Sequence, residues 1–125
     1  MKAMKALADC RILIVEDEVL IAMDVERMLI QEGCTVIGPV GTVARALNVI
    51  PGGEIDAAVL DVNLGRERIF PVAELLVERK TPFVLVFGHS RESLPETLRD
   101  YPVIGKPYQR NELIDGLLRA LSRNE

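Results

Sequence analysis

The sequence predicts an α/β domain on a parallel sheet, from three observations. It holds five short apolar runs, an amphipathic stretch after each, and turn residues at the joints. Ile12-Leu13-Ile14-Val15 is the first strand, apolar throughout as expected when both faces are covered. Ile21, Val25, Met28 and Leu29 follow at the spacing of one helix face, and Gly33 is placed to end that helix. Thr35-Val36-Ile37 makes the second strand. Thr42 then caps a helix with inner face Val43, Ala46, Leu47 and Ile50, which Pro51-Gly52-Gly53 stops. Ala57-Ala58-Val59-Leu60 is wholly apolar and therefore central. Ile69, Val72, Ala73 and Leu76 form the next helical stripe. Residues 83–87 are the fourth strand, entered through Pro82. A short helix is expected over about residues 91–99, with Pro95 admissible only in its first turn. Val103-Ile104 is a brief fifth strand, and Ile114, Leu117, Leu118 and Leu121 are expected to face inward from the last helix.

A chain of 125 residues with 49% apolar content supports one domain and one core. The net charge of −4 and the lack of a basic cluster argue against direct DNA binding, which needs concentrated cations against phosphates. No apolar run is long enough to span a membrane, and the first ten residues lack the pattern of a signal peptide, so a cytoplasmic location is expected. Cys10 and Cys34 sit beside predicted strands and read as reduced, half-buried thiols.

In open parallel sheets the functional crevice lies at the carboxyl ends of the strands. There the sequence places Glu16-Asp17-Glu18, then Asp61-Val62-Asn63, then Phe87-Gly88-His89-Ser90, then Gly105-Lys106-Pro107. Singly, each is an ordinary solvated strand end. Together they bring several acids and one lysine to one rim. Carboxylates so placed repel unless a cation lies between them, and Mg²⁺ suits such hard oxygen donors. An ionised carboxylate can accept a phosphoryl group without losing a proton first, and lysine can neutralise the transferred charge.

The segments Ile12-Leu13-Ile14-Val15-Glu16-Asp17-Glu18, Val59-Leu60-Asp61-Val62-Asn63-Leu64 and Lys106-Pro107, in this order on five strand–helix units, resemble the response-regulator receiver family. The resemblance covers residues 10–122. Residues 1–9 read as an extension that need not be ordered, and 123–125 as a tail. It implies a flavodoxin-like doubly wound (βα)5 sandwich with strand order 2-1-3-4-5. It further implies Asp61 as phosphoacceptor. Mg²⁺ would be held by Glu16, Asp17, Asp61 and the backbone carbonyl of Asn63, with Asp17 preferred over Glu16 as direct ligand. Lys106 and Gly88 would serve the phosphoryl group, and Asn63 and His89 would modulate its hydrolysis.

Two positions depart from the family pattern. Phe87 stands where a Thr or Ser hydroxyl usually bonds the phosphoryl oxygen, and Val103 where an aromatic ring usually turns. The implied function is a phosphorelay receiver, charged by a histidine kinase or histidine phosphotransfer protein, with a non-standard switch. It is a phosphoacceptor rather than an enzyme, beyond catalysing its own phosphorylation and dephosphorylation. Its output would be protein binding through the face of the fourth helix, fifth strand and fifth helix, with homodimerisation left open. The alternative is a phosphorylation-independent interaction module (a pseudo-receiver). An aspartyl-phosphate phosphatase ranks lower, because Asn63 stands where a second acid would be needed.

Overall fold

In the computed structural model, residues 7–106 and 108–123 are described; Pro107, most of the expected extension and residues 124–125 lie outside them. The apolar runs form strands β1 (Arg11–Val15), β2 (Thr35–Val40), β3 (Ala57–Asp61), β4 (Phe83–Val86) and β5 (Val103–Ile104). They pair in parallel in the order β2-β1-β3-β4-β5, the flavodoxin-like arrangement. Helices α1 (Val19–Gln31), α2 (Val43–Gly52), α3 (Phe70–Glu78) and α4 (Arg110–Arg123) cover the sheet.

Alternation along the strands divides the core. Leu13, Val15, Ala58 and Leu60 pack with α2 and α3, while Ile12, Ile14, Ala57 and Val59 pack with α1 and α4. β3 is buried at every residue, as its composition requires. Each fully buried leucine or isoleucine here contributes roughly 2 kcal/mol of transfer free energy. Leu7 is also buried, so the ordered fold begins before residue 10.

Local chemistry sets the element ends. α1 closes with Cys34 N–H donating to Leu29 O and Gly33 N–H to Ile30 O, both 3.0 Å, with Gly33 at φ +88°. Thr42 Oγ1 accepts from Arg45 N at 3.2 Å and caps α2, which runs through Pro51 to Gly52 before stopping. At α4, Glu112 reaches back to accept from Gln109 N at 2.8 Å.

Three expectations are corrected. β2 does not stop at Ile37 but continues to Val40 across Gly38-Pro39. Its pairing with β1 slips by one residue there, so that Val15 faces Val40 and Glu16 N–H donates to Val40 O at 2.9 Å. The inward stripe of α4 is Leu113, Gly116, Leu117 and Ala120, with Ile114, Leu118 and Leu121 only half-buried. The helix turns its small residues to the sheet: a Cβ on Gly116 would lie 3.0 Å from Ile104 Cδ1. Finally, the expected helix over 91–99 is two 3₁₀ turns, Arg91–Ser93 and Glu96–Leu98. Pro95 has no N–H for a continuous ladder. The arginines satisfy the carbonyls instead: Arg91 donates to Arg99 O and Tyr101 O (2.7 and 2.9 Å), and Arg99 to Leu94 O and Glu92 O (2.9 and 3.0 Å).

Gly38 makes the β2 bulge feasible, with φ +93° and room for a Cβ denied by Val40 N at 2.9 Å and Ile14 O at 3.0 Å. Gly38→Ala is expected to lower the unfolding free energy measured by urea titration by about 2 kcal/mol or more. Gly52→Ala, where a Cβ meets nothing within 4 Å, should be neutral or slightly stabilising. Equal destabilisation of the two variants would contradict this account of the bulge.

Candidate functional site

Three strand ends converge as the topology requires. β1 delivers Glu16, β3 delivers Asp61, and the turn after β5 delivers Lys106. Asp61 ends a strand covered on both faces and is itself only 4% exposed; Glu16 is 6% exposed. Such carboxylates need partners. Asp61 Oδ1 accepts from Asn63 N at 3.2 Å, and Oδ2 accepts from Lys106 Nζ at 2.9 Å. Lys106 Nζ also lies 3.0 Å from Glu18 Oε1 and 3.5 Å from Glu16 Oε1. Glu16 Oε2 accepts from Glu18 N at 3.1 Å, folding the acidic run back on itself.

One ammonium thus faces three carboxylates. The deficit registers at Glu16: burial, then a hydrogen bond shared with Asp61, pushes its carboxyl up to about 7, with relief from Glu18 N–H and Lys106. For Lys106, burial disfavours the charge, but bonds to Asp61 and Glu18 outweigh it and raise its pKa. Oxygens of Glu16, Glu18 and Asp61 lie within 4.8 Å of one another. A hard divalent cation fits this donor set, since it would supply the charge that the lysine alone does not.

The remaining expected residues divide. Asn63 stands beside the cluster through its backbone. Asp17 is exposed and outside the group of Glu16, Glu18 and Asp61; its Oδ2 lies 3.7 Å from where a Cβ on Gly65 would be. Gly88 is exposed, and a Cβ on it would meet nothing within 4 Å. Phe87 is buried, 8% exposed, in the core, with its ring tilted against His89 at a 5.2 Å centroid distance. Val103 is half-buried against the same core, and His89 is exposed.

Sequence reasoning did not single out Glu18, although it is the third acid of the run. It also missed a two-stranded antiparallel ribbon, Asn63–Leu64 with Glu67–Arg68, turning at Gly65 (φ +59°) beside Asp61. Glu67 Oε1 accepts from Val43 N at 3.2 Å, tying the ribbon to the start of α2.

The family profile of the response regulator receiver domain matches residues 12–117. The chain belongs to that family. Among solved structures, the receiver is 48% identical to SdrG from Sphingomonas melonis Fr1, covering 97% of this chain and 98% of that one at a TM-score of 0.75. It is 47% identical to the BeF3-activated conformation of SdrG from Pseudomonas melonis Fr1, covering 95% and 97% at 0.71. A sensor protein from Polaromonas sp. JS666 is 27% identical, covering 93% and 98% at 0.81. No curated protein matches the chain. Receivers are signalling domains of two-component systems, in which phosphorylation and Mg²⁺ binding are general. No helix among the described residues of this receiver is long and apolar enough to cross a membrane.

Without metal, the raised Glu16 carboxyl makes the folded state hold a proton that the unfolded chain releases near 4.5. Its contribution to stability is therefore full below that pH and lost as pH rises through about 7. The shift corresponds to about 3 kcal/mol at most. In chelator-treated samples, urea denaturation at about pH 5 and about pH 8 should show a larger loss for wild type than for Glu16→Gln. Parallel losses would contradict the assignment.

Proposed function

We propose that this receiver accepts a phosphoryl group on Asp61 and transmits the change by protein binding. The observation that carries the reading is the ion pair of Asp61 Oδ2 with Lys106 Nζ, 2.9 Å apart at the end of a fully buried strand. The donor would be a phosphohistidine on a histidine kinase or histidine phosphotransfer protein. An Asp61 oxygen bonds phosphorus as the P–N bond breaks, and the imidazole nitrogen keeps the electron pair. Lys106 then holds the phosphoryl oxygens, and the open space at Gly88 admits them. Mg²⁺ would be held by Glu16 and Asp61, with Asp17 or Glu18 and the Asn63 carbonyl as further donors; it supplies charge neutralisation during transfer. His89 and Asn63 line a cleft just beyond the end of β3, where they would govern the approach of water to Asp61. The 47% identity to a BeF3-activated SdrG supports a receiver that responds to a phosphoryl mimic.

Output is assigned to the face of the 3₁₀ segment, β5 and α4. A homodimer is the secondary expectation, and a cytoplasmic location suits this role. One observation favours the alternative, a phosphorylation-independent module: Phe87 is packed into the core and offers no hydroxyl. Intact-mass measurement after incubation with Mg²⁺ and acetyl phosphate decides between them. Wild type should gain one hydroxylamine-labile phosphoryl group, Asp61→Ala none, and Lys106→Ala far less. No adduct on wild type under any donor or metal condition would establish the alternative.

A further inference from the structure

A cleft of about 270 Å³ just beyond the end of β3 is lined by Val62, Asn63, Arg68, Phe70, Phe87, His89 and Ser93. Phe87 lines it with a ring that offers no hydrogen bond. Arg68 lines it as well, as its cation. The ribbon register pairs Asn63 with Arg68, which sets their side chains on one face. There the Arg68 guanidinium donates to Asn63 Oδ1. Asn63 in turn donates its backbone N–H to Asp61 Oδ1. A single short path therefore runs from the acceptor carboxylate to a guanidinium. Among the described residues, Arg68 makes no ion pair with an acid; its one bond is to a neutral amide oxygen.

From this arrangement we propose that Arg68 is a phosphoryl-binding residue that takes the place of the hydroxyl missing at Phe87. The inference rests on Asp61 being phosphorylated. A phosphoryl group on Asp61 brings about two negative charges next to Asn63, whose side chain already holds the Arg68 guanidinium. Arginine's planar fork matches phosphate oxygens, and a charge-assisted bond to phosphate outcompetes one to an amide oxygen. Arg68 leaves Asn63 Oδ1 for a phosphoryl oxygen, and the exposed ribbon moves with it. The movement reaches α2 through Glu67, whose carboxylate accepts from Val43 N. Phosphorylation would thus be read on the β3 side of the pocket rather than at the end of β4.

The test uses beryllofluoride with Mg²⁺ on the full chain, followed by NMR of the arginine Nε–H and asparagine side-chain amide resonances. In wild type, the Arg68 Nε–H and Asn63 amide resonances should shift together on saturation. Arg68→Ala should raise the beryllofluoride concentration at half-saturation about tenfold, as expected for one charge-assisted bond. Arg68→Lys, which keeps the charge without the fork, should fall between. In Asn63→Ala the Arg68 resonance should still shift, which separates gripping the anion from holding the amide. If wild type binds beryllofluoride but the Arg68 resonance is unmoved, the proposal is overturned and Asp61 keeps its role. The same follows if Arg68→Ala saturates at the wild-type concentration. If wild type binds no beryllofluoride, the Asp61 reading fails and this inference with it.

Discussion

The structure depends on the burial of a charge. Asp61 closes a strand with both faces covered by side chains, so its carboxylate cannot rely on bulk water. An isolated carboxylate in that position would cost several kcal/mol. Lys106 meets it from the far side of the sheet, across β4 and β5, because the strand order brings that turn back over β3. Lys106 is then shared with Glu16 and Glu18, which leaves the cluster short of positive charge. An unfilled electrostatic demand of this kind is poor for stability and well suited to binding a cation and a phosphoryl group.

Glu16 shows how far the fold is arranged around that demand. Its backbone N–H is held by Val40 O only because β2 bulges at Gly38 and slips its register by one residue. A strand of regular pairing would set Val15 opposite Pro39. The bulge is therefore part of what fixes the first acidic residue relative to the third strand, although it lies on the edge of the sheet. Edge strands tolerate Pro and Gly at such a position, where a central strand would not.

The strands, the central position of β3 and the convergence of Glu16, Asp61 and Lys106 were legible in the sequence. Continuous apolar runs ended by charges carry strong, local signals. What was illegible had weaker or competing signals. The ribbon at Asn63–Leu64 and Glu67–Arg68 is too short for any periodicity, and only Gly65 marked it. The phase of α4 was misjudged because large apolar residues outweigh Gly116 and Ala120 in a sequence pattern, whereas close helix–sheet approach selects small ones. The segment after β4 has helical spacing in Leu94 and Leu98, and both are buried as that spacing suggests. Its backbone nevertheless breaks at Pro95, and Arg91 and Arg99 cap the carbonyls in a way no local propensity encodes.

That bracing bears on how a receiver without a switch hydroxyl can respond. Moving the segment after β4 would withdraw Leu94 and Leu98 from the core, and reshaping it would break the four guanidinium–carbonyl bonds that hold it together internally. Each exposed bond is worth about 1 kcal/mol net, and each leucine roughly 2 kcal/mol or more. Phe87, packed in that same core, gives a phosphoryl group no polar handle with which to meet such a cost. The ribbon has two-residue strands, with Gly65, Arg66, Glu67 and Arg68 all exposed and the Arg68 cation lining the cleft. A ligand displaces an element only through differential interaction with its two positions. On that criterion the ribbon is the cheaper element to move and the better placed to feel a charge on Asp61, which is the physical ground for the proposed response on the β3 side.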